Sequence, residues 1–283
     1  MIDKHAATHS RPYMIGDIKL TTVSDGVFQT TIETAINVDT AVAQKMSGLT
    51  LEDPVYLSVN AFLLERGPMR ALIDAGSGNT MGPALGKLPE NLRNLGVDPE
   101  TITHILLTHI HPDHSNGLVD GNDKPYFPNA ELIVHEKEAA FFVDRDPSQG
   151  ETERTRKNIA RAITTIGPYK KNMRRVQDGE ALPGISAINA PGHTPGHTSW
   201  VVQSGKDCVM MFGDVIHMHV LQLKNPDIAF VFDVDPQQAI KSRKRILDMA
   251  ATDNIRVAGA HLDFPGLNTI SRNGSGYELH PDL

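Results

Sequence analysis

His109-Ile110-His111-Pro112-Asp113-His114 sets three imidazoles and a carboxylate within six residues, and the run just before it, Ile102-Thr103-His104-Ile105-Leu106-Leu107, reads as a buried strand that delivers them. Such a density of ligand-type side chains points to a metal. In an extended loop, residues two apart face the same way, so His109 and His111 can share one ion while Asp113 and His114 reach a second. Three further candidates each follow an apolar strand: His193 in Ala190-Pro191-Gly192-His193, Asp214 in Met211-Phe212-Gly213-Asp214, and His261 in Gly259-Ala260-His261. Strand ends can hold such groups rigidly around one cleft. His197, in the same Gly-Pro-rich loop as His193, reads as a brace that hydrogen-bonds the loop. His104, His135 and His280 read as satisfied core histidines, and His5 and His9 as tail residues.

Outward from this loop, the pattern alternates strands and helices. Residues 1–12 lack apolar periodicity and read as a flexible tail before a domain over 13–283. Ile18 to Val23 predicts a hairpin strand ended by Ser-Asp-Gly, and Tyr56–Leu64 and Met69–Ile73 predict strands joined by the turn Arg66-Gly67-Pro68. Leu85, Leu88, Leu92 and Leu95 fall at helical spacing with Gly96 as a left-handed cap and Pro89 offsetting the first turn. Leu132-Ile133-Val134 predicts a strand, and 136–143 a helix. Residues 150–166 predict a charged helix with Ile159, Ile163 and Ile166 on one side, which either roofs the pocket or packs as a surface helix. Strands follow at 185–188, 200–202 and 209–212. A long helix begins at Asp235, with Pro236 at its first position and Gln238 placed for a capping box; Arg243 interrupts its apolar face. Ile255–Ala258 reads as the final strand.

The composition excludes several functions. A formal charge of −7 over 283 residues argues against a nucleic-acid partner, since gripping phosphates needs clustered Lys and Arg. The basic run Lys241-Ser242-Arg243-Lys244-Arg245 reads as a solvated helix face. The lone Cys208 can form no intrachain disulfide; its apolar run predicts a core position. No stretch approaches the ~20 apolar residues of a membrane span, and the opening segment lacks a signal peptide's apolar middle, so a cytoplasmic protein without membrane contact is expected.

From Ile18 to His261 the ordered motifs resemble the metallo-β-lactamase superfamily. That resemblance implies an α/β fold, a single-domain four-layer αββα sandwich, and two divalent metal ions, zinc by default, with manganese, cobalt or iron also compatible with N/O ligands. It implies that His109, His111 and His193 bind one ion, that Asp113, His114 and His261 bind the other, and that Asp214 bridges them. Asp74, after Ala71-Leu72-Ile73, would orient the ligand loop from behind. Two dications with Asp113 and Asp214 leave a charge of +2, suited to activating a shared hydroxide for attack on an ester or phosphoryl centre.

Leu20 to Gly26, Gly82 to Gly86, Gly192 to Thr198 and Ala260 to Gly266 are similar to the methyl parathion hydrolase branch, with its related lactonases and arylesterases. The implied function is metal-dependent hydrolysis of a lactone or carboxylic ester, with promiscuity toward organophosphate triesters. The alternative is an oxidoreductase of the persulfide dioxygenase type, with similar histidines around one iron. The branch's aromatic entrance corresponds to Met81, Phe142 and a residue near Asn158, of which only Phe142 is aromatic. His217 is either a strand-end surface histidine or a metal-facing donor to a substrate oxygen. The expected partner is a small-molecule substrate; the N-terminal strands and residues 144–172 are candidates for a homodimer contact.

Overall fold

The computed structural model describes residues 8–281. In chain order its main elements are β1 (Tyr13–Ile15), β2 (Ile18–Thr30), β3 (Ala35–Ile36), α1 (Thr40–Ser47), β4 (Val55–Arg66), β5 (Met69–Ile73), α2 (Leu88–Asn94), β6 (His104–Leu106), α3 (Pro112–Ser115) and β7 (Glu131–His135). There follow α4 (Glu136–Phe142), α5 (Glu153–Ile166), β8 (Met173–Val176), β9 (Gly179–Leu182), β10 (Ile185–Asn189), β11 (Thr198–Ser204) and β12 (Asp207–Gly213). The chain ends with α6 (His219–Gln222), β13 (Ala229–Phe230), α7 (Pro236–Thr252), β14 (Arg256–Gly259), β15 (Leu267–Asn273) and β16 (Gly276–Pro281).

Successive side chains of a strand point to opposite faces, so a strand buried on both faces must be apolar throughout. In β4 to β7, Leu63, Leu72, Ile105, Leu132 and Val134 pack outward against α2, α4 and α5. Their neighbours Leu64, Ile73, Leu106 and Ile133 pack inward against Trp200, Val202, Val209 and Met211 of the second sheet. The second sheet's outer face meets Ile246, Leu247 and Ala250 of α7. The result is the expected αββα sandwich in one domain. Its seven-stranded sheets run β1-β2-β4-β5-β6-β7-β8 and β16-β15-β14-β12-β11-β10-β9. β5, β6, β7 and β8 are mutually parallel, as are β12 and β14. Trp200 spans the layers, its indole N–H donating to the Leu107 carbonyl at 3.1 Å.

Several boundaries differ from the sequence reading. Residues 1–7 of the expected tail lie outside the described residues, but residues 8–10 pair along β2, with Ser10 N donating to Thr22 O at 2.9 Å and His9 bridged to Val23. β2 does not stop at Ser-Asp-Gly: it bulges between Ser24 and Gly26 and continues, because Asp25 turns inward to accept hydrogen bonds from Ser77, Gly86 and Leu88. The hairpin β15–β16 extends the sheet beyond β14, so 255–258 is not the final strand. α2 starts at Leu88, leaving Leu85 outside; Gly96 takes the left-handed φ of 72°. Asp235 caps α7 through Gln238 N, but the Gln238 amide lies against Ser242 rather than completing a capping box. Cys208 is half-buried rather than in the core.

Candidate active site

The proposed ligands sit where carboxyl ends of strands from both sheets meet. Asp74 follows β5, His109 to His114 follow β6, Asp214 follows β12, His261 follows β14, and His193 lies in the connection from β10 to β11. Asp74 has a positive φ of 64°, a conformation that Asp tolerates better than most residues. This aims its carboxylate back at the ligand loop, where it accepts from Thr108 N and Thr108 Oγ1 at 2.8 Å and contacts His114 Nδ1 at 2.9 Å. Gly213 has φ 57°, and a Cβ there would stand 2.6 Å from His197 Nε2, so only glycine lets the chain turn beside that ring. His197 Nε2 in turn accepts from Asp214 N at 2.9 Å. Burial, and then His193, push His197 down to about 3, which keeps it neutral and able to accept.

Two groups of donors converge. His193 Nε2 lies 3.2 Å from His109 Nε2 and 2.9 Å from His111 Nδ1. Asp113 Oδ2 lies 3.4 Å from His114 Nε2 and 3.5 Å from His261 Nε2. Asp214 stands between them. Its Oδ2 is 3.3 Å from His193 and 3.1 Å from His261, and its Oδ1 is 3.2 Å from His114.

The hydrogen bonds behind these rings test whether metal ions fit. His114 Nδ1 faces Asp74, His193 Nδ1 faces Asp233 Oδ1 at 2.9 Å, and His261 Nδ1 faces the Ser58 carbonyl at 2.8 Å. Carboxylates and carbonyls accept only, so each Nδ1 carries the hydrogen and a neutral ring turns a bare Nε2 lone pair into the centre. Among the described residues, His114 Nε2 and Asp214 Oδ1 are buried without hydrogen-bond partners, as are both nitrogens of His217. Lone pairs aimed at carboxylate oxygens repel unless positive charge stands between them. The residues therefore fit divalent cations.

The electrostatics show the same demand for positive charge beside the carboxylates, expressed in the protein alone as a pull on protons at His114 and His261. Burial, followed by the neighbouring imidazoles, holds His109 and His111 well below the ordinary imidazole range. Burial opposes charge on His114 too, but Asp214, Asp113 and Asp74 raise it well above that range; Asp214 raises His261 in the same way. Against its own desolvation, the Asp214 carboxyl is held well below the usual carboxylate range by His114, His261 and His109. A buried cluster in which acids and bases each hold the other's charge is typical of a functional site.

These residues floor a cleft of about 200 Å³, whose walls include Phe28, Leu57, Met81 and Phe232. Arg154 and Asn158 of α5 line it too, so 150–166 covers part of the cleft while Ile159 and Ile166 are buried beneath; Ile163 is exposed. His217 is 2% exposed and points inward, its Nε2 3.1 Å from Asp214 Oδ2 without hydrogen-bond alignment. It is therefore not a surface histidine. Its ring packs against His261, Phe230 and Phe232. Phe142 is buried with its ring 5.9 Å from that of His111, and it lines not this cleft but the adjoining hollow beside Arg154, Asn158 and Phe232. Phe28 and Phe232 supply the aromatic surface, so the entrance is less depleted of aromatics than the sequence suggested. Of the background histidines, His135 is buried and caps α4, His104 is half-buried beside Glu131, and His280 meets Ser271 on the exposed hairpin.

Sequence reasoning missed Asp233, which orients His193. It also missed Glu138, which joins two ligand loops, and Asn60, whose amide donates to Gly259 O and Leu262 O on either side of His261. None stands in a ligand motif.

Residues 55–261 match the Metallo-beta-lactamase superfamily, and the chain belongs to it. It is a metal-dependent hydrolase. It is similar to N-acyl homoserine lactonase AiiB of Agrobacterium fabrum, 31% identical over 44% of each chain. Among solved structures, hydrolase AbOPH of the beta lactamase superfamily superposes with a TM-score of 0.91 at 29% identity, over 98% of both chains. AidC, a dizinc quorum-quenching lactonase in complex with a product, N-hexnoyl-L-homoserine, superposes with a TM-score of 0.90 at 26% identity, covering 96% of this chain and 97% of that one.

Proposed function

We propose that this protein hydrolyses a lactone or carboxylic ester with two divalent ions, zinc by default. His109, His111 and His193 would hold one ion, Asp113, His114 and His261 the other, and Asp214 both. The observation that carries this reading is Asp214 itself, whose carboxylate meets imidazoles of both groups: Oδ2 lies between His193 and His261, and Oδ1 faces His114. Two bound dications supply a water acidified to near-neutral pKa and Lewis acidity toward a carbonyl oxygen.

The chain's own residues do the rest. His217, buried with both ring nitrogens unpartnered, is the donor positioned to meet a substrate oxygen. Phe28, Leu57 and Phe232 favour an apolar acyl chain, and Arg154 at the mouth offers hydrogen bonds to its polar groups. The lactonases named above support a lactone as substrate. Organophosphate triesters would be a side activity of the same centre. Overlapping donor sets that meet at Asp214, with His109, His111 and His193 on one side and Asp113, His114 and His261 on the other, do not favour a mononuclear iron dioxygenase.

The test is a panel of aliphatic lactones, aryl esters and phosphotriesters on protein of measured metal content. We expect oxygen-independent turnover of lactones or esters, lost on chelation and restored by added ions. Asp214→Ala should lower turnover by at least about 100-fold. Near-normal hydrolysis by metal-depleted Asp214→Ala rejects the mechanism; one iron per chain with oxygen consumption establishes the dioxygenase reading instead.

A further inference from the structure

Glu138 is 1% exposed, an unusual place for a carboxylate with no cationic side chain hydrogen-bonded to it among the described residues. Its Oε1 accepts from Ile110 N at 2.8 Å, between His109 and His111. Its Oε2 accepts from Thr194 Oγ1 at 2.7 Å and Gly196 N at 2.9 Å, just beyond His193. The backbones are as close as chemistry permits: a Cβ on Gly196 would stand 2.1 Å from Glu138 N. At their bases the same two loops are joined by Thr198 N donating to Thr108 O at 2.8 Å.

We propose that Glu138 is a positioning residue that sets the spacing between the loop carrying His109 and His111 and the loop carrying His193, and so controls metal occupancy of that half of the centre. This rests on the two-ion reading above. The three donors of that half come from the two loops that Glu138 ties. Asp113, His114 and His261 come from the first loop and the end of β14, and among the described residues the hydrogen bonds of Glu138 go to Ile110, Thr194 and Gly196, not to His261 or its loop. Removing the carboxylate would also leave Ile110 N, Thr194 Oγ1 and Gly196 N without their buried acceptor, which favours loops that drift apart.

The experiment measures zinc stoichiometry and site affinities by competition with a chelator, on wild type, Glu138→Gln, Glu138→Ala and the milder Thr194→Val. We expect wild type to hold two ions and Glu138→Gln to bind one of them at least about tenfold more weakly, the scale on which outer contacts tune metal sites. At limiting zinc, adding His193→Ala to Glu138→Gln should cost nothing further, whereas adding His261→Ala should abolish the remaining ion. Thr194→Val should show a smaller loss at the same half. Equal weakening of both ions, or unchanged affinities with only a lowered melting temperature, overturns the proposal while leaving the two-ion reading intact. Wild type that holds fewer than two ions overturns both.

Discussion

Arg243 shows what a residue can hide. It lies within a basic run that reads as a solvated helix face, yet both it and Ser242 are buried. The guanidinium donates to the carbonyls of Val215, Pro226 and Ile228, and stands 3.9 Å from Asp233, which orients His193. Burial lowers it to about 10, still charged at neutral pH. Arg243→Met should cost about 3–5 kcal/mol, because it orphans three buried carbonyls and the Asp233 charge together. Urea unfolding of the two proteins checks this; a loss below about 1 kcal/mol would mean the network is dispensable. The seven ligand candidates were legible because each stands in a short motif at a strand end. Asp233, Glu138 and Asn60 were not, because they meet the ligands only after distant segments pack.

Elements buried on both faces were legible for a similar reason. β4, β5 and β7 are apolar on consecutive positions, and their cores matched the reading closely. Edge strands were not. β8 carries Arg174 and Arg175, and β16 carries Glu278 and His280 on a largely exposed strand, since solvent-facing edges carry charge that discourages further pairing. α5 gave two readings, and the structure combines them. Ile159 is fully buried, while Arg154 lines the cleft and donates to Val231 O at 3.0 Å, fastening the helix's first turn across the mouth. Ile159→Ala should therefore destabilise by about 2–4 kcal/mol through the cavity it leaves. It should also raise KM for long-chain esters more than for acetates, because the roof loosens and the floor does not. Chemical denaturation and a chain-length series check both parts, and a uniform change in KM would separate α5 from substrate binding.

At the scale of the molecule, the centre is a seam. His109, His111, Asp113 and His114 come from the first sheet's loops, and His193, Asp214 and His261 from the second's. Protein-only links across this seam include Trp200 to Leu107 O, and Asn60 to Gly259 O and Leu262 O. Without cations only protons on His114 and His261 offset the carboxylates there, and the sheets lose part of what joins them at that end. An ion that binds only the folded chain stabilises it by about 2.7 kcal/mol at a hundred times its Kd. Two such ions contribute about 5 kcal/mol, which for a chain of this size corresponds to a melting shift of about 10–20 °C. Calorimetry before and after chelation, with metal content measured on each sample, should show that drop, and readdition of zinc should reverse it. Asp214→Ala should show a much smaller drop, since removing the bridging carboxylate weakens the grip on both ions at once. An unchanged melting temperature after verified loss of both ions would mean that the seam is held by protein contacts alone and that the facing lone pairs are satisfied by protons rather than metal.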